Sequence, residues 1–247
     1  MSVLFVGMRD VPRRVVLTGA AGSIGRAVSP SLASRWDLRL TDVAPGEAAE
    51  LDVTHLDVTD LDACREAFSE ADAVVHLAAV PDPNASWADL LPANVVGAYQ
   101  VAQAAVDCGV RRLVLASSLQ AVSGYPDGRQ TRAVDAPRPA NLYGATKAWS
   151  EALGAWVATS SSTSVVALRI GFFAASPPAG SGISARDLAA WLSPLDCTEL
   201  VRAAVEADGI AFTVANGISA NRYRIAELSE TIQLLGYRPV DDAWAHR

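Results

Sequence analysis

A tyrosine and a lysine four residues apart form the most chemically specific pair in this sequence. Tyr143 and Lys147 stand in the stretch YGATK at the start of a predicted helix, where a spacing of four places both side chains on one face. A phenol, with a pKa of about 10, is a poor base at neutral pH, but an adjacent ammonium stabilises the phenolate and lowers that pKa. Lys147 is also the only lysine of the chain, which makes a chance pairing on a solvated surface the weaker alternative. The pair predicts a tyrosine that donates and accepts a proton.

A hydroxyl group is expected beside this pair, at the end of the preceding strand. The apolar run that ends in Ser117 and Ser118 provides two, and Ser118 is placed to hydrogen-bond the reacting oxygen of a substrate. Serines are common where strands end and turns begin, so an ordinary turn serine is the alternative.

Three glycines spaced by three follow the first predicted strand. The stretch TGAAGSIG places Gly19, Gly22 and Gly25 between a strand and a helix. Glycine permits the tight turn, the approach of a pyrophosphate to the backbone and close packing of the helix, whose N-terminal N–H groups attract the anion. The order of strand, turn and helix predicts a dinucleotide-binding site.

An aspartate at the end of the second predicted strand indicates which dinucleotide is bound. Asp42 can accept hydrogen bonds from both ribose hydroxyls and repels a 2′-phosphate, which favours NAD over NADP. The alternative is an aspartate that caps a helix or a turn. Arg26 and Arg39 are nearby cations that could accommodate a phosphate.

Short apolar runs rich in Val, Leu and Ile alternate with segments of helical spacing along the chain. This alternation is typical of βαβ units and predicts an α/β fold with one doubly wound parallel sheet of Rossmann type. The six predicted strands are Val15–Thr18, Arg39–Thr41, Ala73–Leu77, Leu113–Ala116, Val165–Ile170 and Phe212–Val214. The predicted helices lie near Ile24–Ser34, Leu61–Ala71, Ala93–Cys108, Leu142–Thr159, Ser193–Ala207 and Ala226–Leu235.

Irregular stretches follow three of the predicted strands, at Pro81–Pro92, Gly124–Pro139 and Ala174–Ile183. Ligands of open parallel sheets bind at the carboxyl ends of the strands, so these stretches are expected to wall the site. The alternative is that they are merely exposed connections.

The length and composition fit one globular domain. The chain has 247 residues, of which 51% are hydrophobic and 19% are charged, and a chain of this kind buries a large core. We expect residues 1–12 to be a flexible extension and residues 13–247 to form a single NAD-binding domain. A small C-terminal substrate cap is expected from segments near 174–193 and 216–247.

Charge and cysteine content exclude several classes of protein. A net charge of −7 without a basic run argues against nucleic acid or an anionic membrane as a partner. Three scattered cysteines are too few for a disulfide framework or a metal cluster, so no metal is expected. No apolar run approaches about 18 residues and the apolar start is too short for a secretion signal, which predicts a cytoplasmic protein.

These motifs together resemble the short-chain dehydrogenase/reductase superfamily, in its extended branch of NAD-dependent epimerases and dehydratases. The resemblance runs from Arg14 onward through TGAAGSIG, Asp42, LDVTD, HLAA, NVVG, the Ser118, Tyr143 and Lys147 set, and LRIG. It implies that Ser118, Tyr143 and Lys147 are catalytic and that the cofactor is NAD. The residues implied to bind or support NAD are Gly19, Gly22, Ser23, Ile24, Gly25, Asp42, Asp57, Val58, Leu77, Ala78, Ala79, Asn94, Tyr143, Lys147 and Ile170.

Related dehydrogenases pair through two long helices, which here are Ala93–Cys108 and Leu142–Thr159. The resemblance therefore implies a homodimer.

Within that branch the chain is most similar to uronate dehydrogenases, which oxidise a sugar acid at its anomeric carbon. Arg186 falls where that family binds the substrate carboxylate, with a solvated helix arginine as the alternative. Pro81, Leu119, Gln120 and Phe172 stand where the family contacts the rest of the substrate with polar groups. Three of these four are apolar, and loss of hydroxyl recognition changes specificity sharply.

The sequence thus predicts an NAD-dependent oxidoreductase that transfers a hydride between NAD and an alcohol or carbonyl carbon of a small substrate, with a sugar acid as one candidate. In this interpretation Tyr143 moves the proton, Ser118 orients the reacting group, and Lys147 tunes Tyr143 and holds the nicotinamide ribose. Two alternatives stay open: an epimerase or dehydratase that retains NAD through a transient oxidation, and a non-catalytic dinucleotide-binding sensor.

Overall fold

Nine strands occur in the part of the chain that this computed structural model describes, which is residues 14–48, 50–179 and 184–245. In chain order they are β1 (Arg14–Thr18), β2 (Asp37–Asp42), β3 (Val53–His55), β4 (Ala73–His76), β5 (Arg112–Ser118), β6 (Ser164–Ile170), β7 (Phe172–Phe173), β8 (Trp191–Leu192) and β9 (Phe212–Gly217). Seven of them form one parallel sheet in the order β3-β2-β1-β4-β5-β6-β9, and β7 pairs with β8 apart from it. This arrangement confirms the predicted doubly wound α/β fold. The predicted extension at 1–12 and part of the stretch Ala174–Ile183 lie outside the described residues.

The helices lie on both faces of this sheet. In chain order they are α1 (Ser23–Ala33), α2 (Leu61–Phe68), α3 (Trp87–Leu90), α4 (Ala98–Asp107), α5 (Leu142–Ser160), α6 (Ala185–Ala190), α7 (Pro194–Glu206) and α8 (Ser229–Leu235). Polar side chains fix where several of them begin. The carboxylate of Asp60 accepts a hydrogen bond from the Ala63 N–H at the start of α2, and the Asn141 side chain accepts one from the Gly144 N–H at the start of α5. Asn141 therefore sets the first turn of the helix that carries the predicted tyrosine and lysine.

Alternate residues of the central strands face two separate apolar layers. Val114 of β5 packs in one core cluster with Val28 of α1 and Leu200 of α7. Leu115, the next residue of β5, packs in the other cluster with Val101 of α4. Because both faces of the sheet are covered at its centre, β1, β4 and β5 are nearly continuous apolar runs rather than alternating ones.

The strand order reverses at β1. β2 pairs with one edge of β1, and β4 pairs with the other edge in a register that sets Thr18 opposite His76. Such a reversal opens a crevice beyond the carboxyl ends of the strands, which is where open parallel sheets bind their ligands. The glycine-rich turn after Thr18 begins in that crevice.

The prediction of six strands is wrong, because Val53–His55 adds a seventh strand at the edge of the sheet. This strand has only three residues, two of which are exposed, so it lacks the apolar run that marks the others. The short pair of β7 and β8 was not predicted either, since two residues carry no periodicity.

Two predicted helices also begin or continue differently. The first part of Ala93–Cys108 belongs to a π-helix, Leu91–Gly97, which leads into α4. The helix expected over Ala226–Leu235 begins only at Ser229. The residues expected to form its first turn bond another part of the chain instead: the Glu227 N–H donates to the Thr131 carbonyl at 2.8 Å.

Within the described residues, no helix is both long and apolar enough to cross a lipid bilayer. The same residues contain no group of three or more His, Cys, Asp or Glu side chains that could hold a metal ion.

Candidate active site

The turn between β1 and α1 uses each of its three glycines in a different way. Gly19 has a φ of +76°, and a Cβ there would lie 2.5 Å from the Ala78 backbone nitrogen. A Cβ on Gly25 would overlap the Gly19 carbonyl oxygen. A Cβ on Gly22 would lie 3.3 Å from the same oxygen, so a side chain there would be less crowded by the protein than at Gly19 or Gly25. Gly19 and Gly25 thus permit the turn and the close packing, and Gly22 leaves its outer face open to a pyrophosphate.

The first turn of α1 presents free backbone donors to this space. Gly22 is the N-cap residue and has no side chain that could satisfy the N–H groups of the first turn. Gly22, Ser23, Ile24 and Gly25 all line one cavity of about 440 Å³ at the carboxyl edge of the sheet. Unsatisfied N–H groups and the positive end of the helix dipole fit the phosphates of a dinucleotide.

Asp42 lies beside this turn at the end of β2. Its carboxylate accepts hydrogen bonds from the Ala21 N–H at 2.9 Å and the Ala44 N–H at 3.0 Å, which fix its orientation. Of the two cations that could have accommodated a 2′-phosphate, Arg26 forms an ion pair with Glu50 at 2.8 Å. The carboxylate of Asp42 therefore lies where it can bind a ribose and repel a 2′-phosphate, while Arg26 is paired at the surface.

Ser118, Tyr143 and Lys147 come together in the same cavity. Lys147 and Tyr143 lie one helical turn apart on α5, and the Lys147 Nζ is 5.6 Å from the centre of the Tyr143 ring. The ammonium donates a hydrogen bond to the Ala116 carbonyl of β5 at 2.9 Å. Ser118 ends β5, where its hydroxyl lies 3.5 Å from the Ile170 carbonyl of β6 and accepts a hydrogen bond from the Gln120 N–H at 3.1 Å.

Burial sets the protonation of the tyrosine and the lysine. Desolvation raises the pKa of Tyr143, and a side-chain hydrogen bond with Ser118 acts in the opposite direction. Desolvation also lowers the pKa of Lys147 to about 8. The Lys147 ammonium donates to the Ala116 carbonyl and burial raises the pKa of Tyr143, so the lowering of that pKa by Lys147 stays a prediction.

A buried histidine behind Lys147 was not assigned a role from the sequence. The Nδ1 atom of His76 hydrogen-bonds the Thr18 hydroxyl at 2.8 Å across the junction of β1 and β4. Burial, with a smaller contribution from the Lys147 charge, lowers the pKa of His76 to about 3. His76 is therefore neutral at physiological pH and places no second positive charge beside Lys147.

A buried ion pair under the reaction centre was also missed. Glu151 of α5 and Arg169 of β6 form two hydrogen bonds of 2.8 Å each, and Glu151 also accepts one from the Ser117 hydroxyl at 2.7 Å. Glu151 follows Lys147 by four residues on the same helix face, which was a sequence signal. Its partner is separated along the chain and becomes adjacent only when β6 joins the sheet.

The five residues predicted to contact the substrate all line the cavity opposite the glycine-rich turn: Pro81, Leu119, Gln120, Phe172 and Arg186. The cavity lining also includes eight residues that were not predicted to form the site: Pro83, Ala116, Ser117, Gly171, Phe173, Asp187, Ala190 and Ile225. Arg186 forms an ion pair with Asp127 at 2.9 Å in which both side chains are exposed, so the pair is weak and solvated. The wall is mainly apolar, with one cation at its edge.

The residues predicted to bind NAD divide into two groups. Those that line the cavity are Gly19, Gly22, Ser23, Ile24, Gly25, Leu77, Ala79, Tyr143, Lys147 and Ile170. The structure does not bring Asp42, Asp57, Val58, Ala78 or Asn94 to its surface. Asn94 is buried, and its amide bonds the Val80 backbone and donates to the Thr146 hydroxyl. Asn94 thus braces the loop after β4 against α5.

The exposed Asp57 carboxylate accepts hydrogen bonds from the Thr59 N–H at 2.9 Å and the Thr59 hydroxyl at 2.7 Å. These bonds lower its pKa. Val58 is buried and packs against Gly97. Both residues follow the end of β3, outside the cavity that holds the reactive groups.

The sequence model of the NAD dependent epimerase/dehydratase family matches residues 15–195. The chain therefore belongs to this family, as its motifs predicted, and the family's cofactor is the NAD that the sequence indicated. Curated relatives from Haloferax volcanii include L-arabinose 1-dehydrogenase (NAD(P)(+)), 39% identical over 93% of this chain and 97% of the relative. NAD-dependent glucose-6-phosphate dehydrogenase of the same organism is 35% identical over 93% of this chain and 94% of the relative.

Solved structures agree with this assignment. Uronate dehydrogenase from Agrobacterium tumefaciens superposes with a TM-score of 0.84 at 29% identity, over 94% of this chain and 86% of that one. The Rossmann-type fold and the similarity to uronate dehydrogenases are both confirmed. The relatives named above are all dehydrogenases that act on sugars or sugar derivatives, which agrees with the predicted oxidoreductase.

We predict that Gly19→Ala destabilises the protein more than a positive φ alone can explain. Gly109 provides the matched control, because its φ is +65° and a Cβ there meets no atom within 4 Å. Gly109→Ala should lower the free energy of unfolding by about 1 kcal/mol. Gly19→Ala should cost about 1–3 kcal/mol more, since its Cβ also overlaps the Ala78 backbone. Urea unfolding of both variants measures their free energies of unfolding. Equal losses would show that the backbone at Ala78 moves aside without an energetic penalty.

Proposed function

We propose that this protein is an NAD-dependent sugar dehydrogenase of the Ser-Tyr-Lys type, which oxidises a small sugar or sugar acid at its anomeric carbon. The observation that carries the proposal is the convergence of Ser118, Tyr143 and Lys147 with the glycine-rich turn in one cavity. The dehydrogenases among the relatives support the reaction class, and two of them are named for arabinose and glucose 6-phosphate.

The proposed reaction divides the two hydrogen atoms of the alcohol between cofactor and protein. When bound, NAD accepts the hydride from the substrate carbon. Tyr143 takes the hydroxyl proton, and Ser118 hydrogen-bonds the reacting oxygen so that it faces the phenol. Lys147, whose pKa burial lowers to about 8, remains largely protonated at neutral pH and stabilises negative charge as it develops on the phenol.

The cofactor would occupy the side of the cavity formed by β1, α1 and the end of β4. The α1 N-terminus would hold the pyrophosphate, Asp42 the adenosine ribose and Lys147 the nicotinamide ribose. Asp57 and Val58 are proposed to lie near the adenine, and Leu77 to Ala79 along the dinucleotide. Ile170 lines the cavity next to Ser118, where it would contact the nicotinamide.

The substrate would lie against a cap made from the segments near 174–193 and 216–247. Within the first segment, the Trp191 indole donates to the Ala174 carbonyl at 3.1 Å. The second segment contacts the first through the Asn221 amide, which donates to the Trp191 carbonyl at 2.8 Å. Arg186 at the edge of this cap would bind the carboxylate of a sugar acid, because its exposed pair with Asp127 exchanges easily.

The three cysteines are unpaired, with Cys64 and Cys197 buried. Free thiols support our proposal of a cytoplasmic enzyme, since reducing compartments keep cysteines in that state.

We predict that the protein reduces NAD with at least one of L-arabinose, glucuronate, galacturonate and glucose 6-phosphate, followed as NADH absorbance. If the substrate is a sugar acid, Arg186→Met should raise the KM for that substrate about tenfold or more. Among the described residues that line the cavity, Arg186 and Lys147 are the only cations, and this substitution removes one of them. The KM for L-arabinose, which carries no charge, should stay unchanged. Failure to form NADH with every sugar, in a sample that binds NAD, would favour an NAD-retaining epimerase or a sensor.

Tyr143→Phe should lower turnover by a factor of about 10²–10⁴ while NAD affinity is largely retained, because only the proton donor and acceptor is removed. Tyr99→Phe is the matched control, since Tyr99 is 41% exposed on α4, where it stacks on Trp156, and does not line the cavity. Turnover is measured by NADH absorbance and NAD affinity by calorimetry. Retained turnover in Tyr143→Phe would remove this phenol from the mechanism.

We further propose a homodimer that buries the outer faces of α4 and α5. Tyr99, Trp149 and Trp156 are each 40–41% exposed on these two helices, and the rings of Tyr99 and Trp156 stack with their centres 6.3 Å apart. Exposed aromatic side chains that lie together in this way are typical of a protein interface.

Trp156→Glu should therefore shift the protein from dimer to monomer in size-exclusion chromatography with light scattering, because a charge would be buried at the interface. Tyr223→Glu, on an exposed aromatic residue outside this face, should leave the mass unchanged. A monomeric wild-type protein, or a dimer that persists in Trp156→Glu, would contradict the proposed interface.

A further inference from the structure

We propose that Glu151 and Arg169 are positioning residues, which hold the ends of β5 and β6 so that Ser118 stays in place beside Tyr143. This inference rests on the proposed roles of Ser118 and Tyr143. It assigns a task in the reaction to two charged residues that do not touch the cavity.

The pair is buried and has two-point geometry. The side chains of Arg169 and Glu151 are 1% and 6% exposed, and the guanidinium Nε and Nη2 each donate to a different carboxylate oxygen at 2.8 Å. Two parallel hydrogen bonds fix direction as well as distance. A buried ion pair is weak support for stability in itself, because desolvation offsets most of its attraction. The ion pair therefore matters for the position of the groups that it joins rather than for the stability of the fold.

The two side chains of the ion pair also form hydrogen bonds with a loop backbone and with β5. Arg169 also donates to the carbonyls of Arg132 and Ala133 at 3.3 Å and of Asp135 at 3.0 Å. Glu151 accepts from the Ser117 hydroxyl at 2.7 Å. One ion pair thus joins α5, β5, β6 and the loop between Ser118 and Tyr143.

The last three residues of β5 are each anchored by a side-chain hydrogen bond. Lys147 holds the Ala116 carbonyl, Glu151 holds the Ser117 hydroxyl, and the Ser118 hydroxyl faces the Ile170 carbonyl. Neighbouring strand residues point to opposite faces, so fixing Ser117 towards α5 fixes the direction in which Ser118 projects. Ile170 directly follows Arg169, so the same pair also fixes the carbonyl that Ser118 faces.

The loop held by Arg169 continues into a wall of the cavity. The Thr131 N–H donates to the Ile225 carbonyl at 2.9 Å, and the Glu227 N–H donates to the Thr131 carbonyl at 2.8 Å. Ile225 lines the cavity. The pair therefore braces the proton-transfer groups and one substrate wall together.

The ionisation of Tyr143 reports whether Ser118 is in place, because the hydrogen bond from Ser118 lowers the Tyr143 pKa. The charged or titratable groups around Tyr143 are Lys147 on its own helix, His76 of β4 behind that lysine, and Arg186 and Asp187 of α6 in the cavity wall. Ser117 lies on β5 and carries no charge. Ser117 also lines the cavity, but removing its hydroxyl changes no charge there, so a shift of the Tyr143 pKa in this variant reports the position of the strand end.

The test compares Ser117→Ala with Ser164→Ala. Each removes one serine hydroxyl that donates a 2.7 Å hydrogen bond, but Ser164 bonds the Arg111 carbonyl at the opposite edge of the sheet. The pKa of Tyr143 is measured from phenolate absorbance, as the difference between each protein and the same protein carrying Tyr143→Phe. We expect Ser117→Ala to raise this pKa and to lower kcat about tenfold, while the KM for NAD stays unchanged. Ser164→Ala should change none of the three.

Equal behaviour of the two variants would overturn the proposal and leave Glu151 and Arg169 a purely structural role. Glu151→Gln should show a larger loss of kcat with the same rise in pKa, and if it does not fold, Ser117→Ala still decides. Because the absorbance titration needs no substrate, it tests the positioning role independently of the proposed function. A raised pKa in a protein that oxidises no sugar would contradict only the proposed function. An unchanged pKa in an active dehydrogenase would contradict only the positioning role.

Discussion

The packing of α5 against the carboxyl ends of β5 and β6 is the constraint on which the site depends. One face of this helix carries Tyr143, Lys147 and Glu151 at intervals of four residues. Lys147 and Glu151 bond β5 directly, and Glu151 reaches β6 through Arg169. Because those two strands are hydrogen-bonded neighbours in a parallel sheet, their ends move only together. The phenol is therefore positioned by the same contacts that join the helix to the sheet.

Burial at this junction has opposite effects on the two reactive side chains. It disfavours charge, so it raises the pKa of Tyr143 and lowers that of Lys147. The neutral His76 adds no repulsion that would lower the Lys147 pKa further. In the proposed mechanism, Tyr143 needs stabilising contacts to act as a base, and Ser118 and Lys147 are the groups beside it that can supply them. This gives the exact placement of the Ser118 hydroxyl more influence on proton transfer than a serine at a strand end would otherwise have.

Features that depend on local spacing were predictable from the sequence, and features that depend on tertiary pairing were not. The glycine-rich turn and the pair of Tyr143 and Lys147 are short-range patterns whose geometry follows from one turn or one helix. The partnership of Glu151 with Arg169 arises only from the order of strands in the sheet, as does the contact of Thr18 with His76. The burial that raises the Tyr143 pKa likewise comes from tertiary packing, which a local sequence pattern does not reveal. The strand Val53–His55 was missed because its side chains are largely exposed.

The two sides of the cavity differ in how firmly they are held. Ser118, Tyr143 and Lys147 are buried, whereas Phe172 is 46% exposed and Arg186 is paired with the exposed Asp127. A substitution on the exposed side changes which substrate fits without disturbing the strands that place Ser118 and Tyr143. A single catalytic framework can then serve different sugars, as the names of the relatives illustrate. If the proposed function is correct, the exposed wall determines which substrate fits, and the buried edge determines the proton transfer.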